Sequence, residues 1–122
     1  MKARIFSDGF EGHRSRSASF VEKLMRREKI KPEIAITFAD PLDLANFLTV
    51  NCIRLCEATR RGPVSVSQLA TELKRDPKSV RRDIGKMERA GLLRTRLVSN
   101  PGHGKTRIVE SVAQKFELIA TF

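Results

Sequence analysis

The sequence predicts a mainly α-helical domain carrying a small β-sheet, an α+β class, and three observations lead to it. Capping signals recur ahead of short apolar stripes of helical period between Asp40 and Gly91. A segment alternating in polarity and interrupted by the turn residues SNPGHG follows at positions 93–110. Two further strand-like segments, EIAITF and the closing KFELIATF, flank that body. At 122 residues the chain has room for one domain with a modest core and an appended arm, and a large multi-step enzyme is not expected.

Taken in order, residues 1–31 read as a basic N-terminal arm, and 32–122 as the folded domain. The first eighteen residues mix Gly, Ser, His and Arg without a clear period, so they are expected to be loosely ordered at best. Ser19 with Glu22 three residues later forms a capping-box pattern and predicts a short helix through Phe20 and Leu24, ended by Lys31 and Pro32. Ile34, Ile36 and Phe38 alternate, which predicts a strand. Asp40 caps a helix with Pro41 at its first position, where proline's missing amide costs nothing. Thr49 caps another, in which Cys52, Leu55, Cys56 and Thr59 fall on one buried face.

Gly62 and Pro63 break the chain before Ser65 and Gln68, a second capping box, which opens a helix with the stripe Leu69, Ala70 and Leu73. Asp76 and Pro77 start the next helix, expected to run to Ala90 and to stop at Gly91, the residue best able to turn left-handed. Two short helices joined tightly at Lys74, Arg75 and Asp76 are a helix-turn-helix arrangement. On the wheel of the second, Val80, Ile84 and Met87 cluster toward the core. Lys78, Arg82 and Arg89 lie opposite, flanked by Ser79, Gly85 and Lys86, so the outward face is basic. Asp83, Arg81 and Glu88 fall on the flanks, and Asp83 is expected to pair with a neighbouring cation.

Charge is distributed unevenly along the chain. The formal net charge is +10. Residues 74–107 contribute eleven basic and three acidic groups, and residues 1–31 nine and four, whereas 32–73 are slightly acidic. A basic third beside a near-neutral body is the layout of a polyanion-binding face, with nucleic acid as the first candidate partner.

The GKT within SNPGHGKTR invites a nucleotide-binding reading, which its surroundings exclude. A Walker-type phosphate loop needs a glycine at position 99, a buried apolar strand before the loop and a helix starting at the Lys and Thr. Position 99 is Ser, the preceding strand alternates with arginines, and β-branched TRIV follows. The same residues suit a β-hairpin wing, with Arg94, Arg96, Lys105 and Arg107 placed to reach phosphates or a narrow minor groove. Charge on these strands also guards an edge against aggregation.

The assembled pattern is a winged helix-turn-helix with an N-terminal arm and helix and a closing β-strand. From about Ile36 to Phe122 it resembles a prokaryotic family of predicted winged-helix transcriptional regulators related to the MarR group. The residues that carry the resemblance are ITFADPLDLANFLT, GPVSVSQLATELKRDPKSVRRDIGKMERAGLL and KFELIATF. It implies DNA-binding regulation, and members of this type are also expected beside small toxins as antitoxins. Val50, Asn51 and Cys52 stand where that family usually has Pro, Lys and Arg, and the wing is longer here.

The expected function is therefore sequence-specific binding of double-stranded DNA by a homodimeric regulator, most simply a repressor. The helix 77–90 would enter the major groove and the wing 93–110 would hold backbone or minor groove. The DNA-binding residues expected are Lys78, Ser79, Arg82, Lys86, Arg89, Arg94, Arg96, Lys105 and Arg107. Alternatives are a protein-interaction module facing a small toxin protein, or an RNA-binding winged helix. Cys52, Cys56, His13 and His103 offer no metal-binding spacing, and the cysteines read as buried thiols. No catalytic constellation and no cofactor are expected. MKARIFSDGF lacks the apolar core of a secretion signal and no apolar run is long enough to span a bilayer, so a soluble, cytoplasmic protein is expected.

Overall fold

A computed structural model describes residues 1–102 and 104–122 and divides the chain into two units, Met1–Phe47 with Lys115–Phe122, and Leu48–Gln114. His103, singled out above, lies outside the described residues.

The first unit is built on strand β1 (Lys2–Ser7), helix α1 (Gly9–Met25), strand β2 (Glu33–Thr37), helix α2 (Pro41–Phe47) and strand β6 (Lys115–Ala120). Its sheet has the order β2-β1-β6 with every pairing parallel. Parallel neighbours cannot be joined by a tight turn, and α1 supplies the crossover between β1 and β2. Ala3, Ile34 and Phe116 align across one face of the sheet, followed by Ile5, Ile36 and Leu118. Ala3 and Ile5 are fully buried there. The other face carries Lys2, Arg4 and Phe6 with the acids Glu33 and Glu117, and ion pairs bind them across the strands: Lys2 to Glu117 at 3.1 Å, and Arg4 to Glu117 at 3.5 Å and to Glu33 at 3.8 Å. Helix α1 lies on this charged face. Arg16 reaches from it to pair with Asp8, bonds Thr37 at 3.3 Å and stacks 3.5 Å above the Phe6 ring.

This arrangement corrects the reading of the N-terminal segment. The first eighteen residues are not a loosely ordered arm: they form the central strand of a sheet and the first half of a helix, because Ala3, Ile5 and Phe6 are buried between two partners. Ser19 does not cap a helix either. The chain is already helical from Gly9, so Ser19 sits mid-helix and exposed. The expected boundary between residues 31 and 32 falls inside this first unit, between α1 and β2. The closing strand and the 33–37 strand both pair with β1 within the chain, on its two sides.

The second unit is a winged helix. Helix α3 (Val50–Arg60) is capped by Thr49, whose hydroxyl accepts from the Cys52 amide at 3.3 Å. It buries Cys52, Leu55, Cys56 and Thr59, and the Thr59 hydroxyl donates to the Leu55 carbonyl at 2.7 Å, so a buried polar side chain is satisfied locally. Strand β3 (Val64–Ser65) leads into helix α4 (Val66–Leu73), then come helix α5 (Pro77–Arg89) and strands β4 (Leu93–Asn100) and β5 (Gly104–Ser111). These strands form an antiparallel sheet in the order β3-β5-β4. Leu69 of α4, Val80 and Met87 of α5, and Leu92, Leu93 and Val109 from the sheet region complete a core with Leu55. Both cysteines are free and buried, and burial pushes the Cys56 thiol up to about 12, with Cys52 and Glu57 adding to the effect.

Candidate nucleic-acid interface

The helix-turn-helix is set by local chemistry at each end of its two helices. Ser65 accepts from the Gln68 amide at 3.1 Å while the Gln68 side chain accepts from the Ser65 amide at 3.2 Å, a reciprocal cap that starts α4. Lys74 ends it in the left-handed conformation at φ 53°, with its amide on the Thr71 carbonyl and that of Arg75 on Ala70. Asp76 then accepts from the Ser79 amide at 3.3 Å and Pro77 occupies the first turn of α5. At the far end Gly91 adopts φ 83°, and the Leu92 amide bonds back to the Met87 carbonyl at 3.0 Å, a Schellman closure.

Within that frame α5 buries Val80, Ile84 and Met87 and turns its basic side outward. Lys78, Arg82 and Arg89 are exposed on one side, with no ion pair among the described residues. Ser79 and Lys86 are half-buried, farther toward the packed side than the wheel suggests. The exposed stripe instead includes Arg81, which the wheel put on a flank. Arg81 lies with Ser67, Thr71, Lys74 and Pro77 around an open cleft at the helix-turn-helix elbow. That one-sided i, i+3, i+4 spacing of Lys78, Arg81 and Arg82 was visible in the sequence. What the wheel lacked was the packing around α5, which decides which flank is open.

Asp83 does what its position suggests. It binds Arg75 of the connecting turn at 2.6 Å, with both side chains largely withdrawn from solvent. The acid therefore ties the turn to the helix and is not directed outward. Glu88, by contrast, is exposed beside the basic stripe, and its carboxylate accepts from the Thr95 hydroxyl on the wing at 2.5 Å. Arg107 donates to the same hydroxyl at 3.2 Å. A chain of polar contacts thus joins α5 to β4 and β5.

The hairpin register separates its four cations into two pairs. Residues directly opposite in an antiparallel ladder share a face. Thr95 with Val109, Leu97 with Arg107 and Ser99 with Lys105 lie on the side that meets α5 through Glu88. Arg94 opposite Glu110, and Arg96 opposite Ile108, lie on the other. Arg94 is engaged with Glu110 at 2.9 Å, whereas Arg96 and Lys105 are exposed without an ion pair among the described residues. The structure therefore brings Arg107 and Lys105 to the side of the basic helix and leaves Arg94 and Arg96 behind the hairpin. The GKT sequence opens strand β5 at Gly104, the position of a hairpin and not of a phosphate-binding helix.

Comparison with known proteins agrees with this geometry. Residues 51–96 match the family described as a helix-turn-helix domain. Among solved structures the chain is similar to a "Possible transcriptional regulator" from Methanosarcina mazei Go1, at 18% identity and a TM-score of 0.52, covering 60% of this chain and 63% of that one. This chain thus spans about 63% of that protein's structure, and the likeness is one of fold. No curated protein matches it by sequence. Among the described residues no helix is long and apolar enough to cross a membrane.

Proposed function

We propose that the chain is a non-enzymatic, double-stranded DNA-binding transcriptional regulator that works as a homodimer on a partly palindromic site. The observation that carries this reading is the unpaired basic stripe of α5 standing beside a wing face that bears Lys105 and Arg107. The helix-turn-helix match, the fold of the archaeal neighbour and the resemblance to MarR-related regulators support it. In this reading α5 enters the major groove, where Lys78 and Arg82 meet guanine acceptors. Arg89, Lys86 and the elbow residues Lys74 and Arg81 take phosphates, and Lys105 and Arg107 take the neighbouring backbone. Arg96, on the opposite wing face, contributes to the general field and little to direct contact.

The test is a titration of labelled duplexes, recovered by retention of chromosomal fragments on the purified protein, followed by anisotropy at several salt concentrations. Arg82→Ala should relax sequence preference, since one bidentate base contact is worth about 1–3 kcal/mol of discrimination. Lys105→Ala should weaken all sequences alike and flatten the salt dependence by about one unit per copy. Equal, sequence-blind losses from both substitutions, or preference for structured RNA over duplex DNA, would overturn the reading.

A further inference from the structure

Helix α1 buries none of its own residues, and beside it the first unit leaves a cleft of about 600 Å³. Helix α1, strand β1 and the segment 29–33 that leads into β2 each supply part of the lining. The end of α1 brings that segment round. The Glu28 amide bonds back to the Lys23 carbonyl and that of Arg27 to Leu24, both at 3.1 Å, a Schellman closure in which Arg27 takes the left-handed position at φ 56°. Five cations line the cleft, Arg4, Arg16, Lys23, Lys29 and Lys31, against one acid, Glu33. The arginines are answered within the fold, Arg4 by Glu33 and Glu117 and Arg16 by Asp8. The lysines are not. Lys23, Lys29 and Lys31 are exposed and have no ion pair among the described residues. Arg4 also keeps a buried Nε without a hydrogen-bond acceptor, 3.5 Å from the nearest Glu117 oxygen. Like charges gathered on one concavity repel each other until an anion joins them. The remaining lining is apolar, with Phe20 at 50% and Ile30 at 36% exposure.

We propose that this cleft binds a nucleotide, with its phosphates on Lys23, Lys29 and Lys31 and its base against the Phe20 ring. Lysine ammonium groups are compact point charges that suit phosphate oxygens, and three of them match a polyphosphate better than a single carboxylate. An exposed aromatic ring beside such charges accepts any planar base by stacking. The volume falls within the range of small-molecule sites. A DNA duplex keeps its bases stacked and has none to offer Phe20, so the double helix is not the occupant. The proposal goes beyond the DNA-binding reading and does not rest on it. Nor does it involve the GKT sequence, which opens β5 in the other unit.

Anisotropy of ATP carrying a ribose-linked fluorophore, titrated with the full chain, tests this. Unlabelled ATP should displace the probe, tripolyphosphate should need about ten times the concentration, and adenosine at the same level should not displace it. Lys23→Ala and Lys31→Ala should each weaken binding about tenfold. Phe20→Ala should weaken ATP by about the same factor and leave tripolyphosphate unchanged. All three side chains are exposed, so the thermal transition should stay in place. Arg82→Ala and Lys105→Ala, in the other unit, should leave ATP affinity as it is. A probe whose anisotropy does not rise, or that tripolyphosphate displaces as well as ATP does, overturns the proposal. So do losses at Arg82 and Lys105 equal to those at the cleft lysines, which would place the nucleotide on the basic helix and wing. Tighter binding of a single-stranded oligonucleotide than of ATP through Lys23, Lys31 and Phe20 would overturn it in favour of a nucleic-acid strand.

Discussion

Removing the Asp83 carboxylate should loosen the helix-turn-helix at its elbow. The carboxylate lies 2.6 Å from an Arg75 nitrogen, and the two side chains are only 14% and 17% exposed. Arg75 has a second guanidinium nitrogen that is buried without a hydrogen-bond partner, so it has no other acceptor in place to replace the lost one. A charge-assisted hydrogen bond contributes about 1.5–3 kcal/mol, and the partial exposure places Asp83→Ala near the middle of that range, at about 2 kcal/mol. For a unit of this size 1 kcal/mol corresponds to roughly 4–8 °C, so the melting temperature should fall by about 10 °C. Urea unfolding of wild type, Asp83→Ala, Arg75→Ala and the double variant measures the coupling directly, and a value of about 1–2 kcal/mol is expected. An additive cycle, or a loss under about 0.5 kcal/mol from Asp83→Ala, would place the pair among ordinary surface ion pairs and refute the elbow argument.

Two further outcomes follow from the same unit. Lys74→Gly should stabilise the fold by about 0.5–1 kcal/mol, because a left-handed residue with a Cβ is strained and glycine is not; chemical denaturation would show a raised midpoint, and a lowered one would mean that the lysine stem packs. The Cys56 thiol, pushed up to about 12, stays protonated in the folded chain while an unfolded one ionises near 9, so the folded state holds its proton more tightly. Its contribution is intact below pH 9 and is lost as the pH rises from 9 to 12, at about 1.4 kcal/mol per pH unit. Stability measured against pH should therefore fall more steeply in wild type than in Cys56→Ala, and parallel curves would contradict the burial argument.

The parts of this fold that sequence reasoning recovered are those specified within a few residues. Ser65 with Gln68, Asp76 with Pro77, and Gly91 each mark a helix end through a side chain or backbone preference acting locally, and the stripe Val80, Ile84, Met87 reports its burial through spacing alone. The outward basic side of α5 and the pairing of Asp83 followed from the same wheel. The N-terminal segment failed for physical reasons. In KARIFS the alternation of Ala3 and Ile5 with Lys2 and Arg4 is present, but it signals a strand only once β2 and β6 lie beside it, and β6 is brought there from the far end of the chain. Helix α1 defeats the usual reasoning because its apolar stripe does not mark a core-facing side. The division of the wing cations was also hidden, since register decides which strand positions share a face with α5, and the turn alone did not specify it.

The central placement of β1 has a consequence for the chain as it leaves the ribosome. Ala3 precedes its partner Ile34 by 31 positions and its partner Phe116 by 113, so β1 acquires β2 early but waits for β6 until the residues between them have been made. At about 10 residues per second that delay is roughly 10 s, long compared with the folding of a small helical unit. During it one flank of β1 stands open to any extended segment nearby, an unpaired edge that only β6 closes.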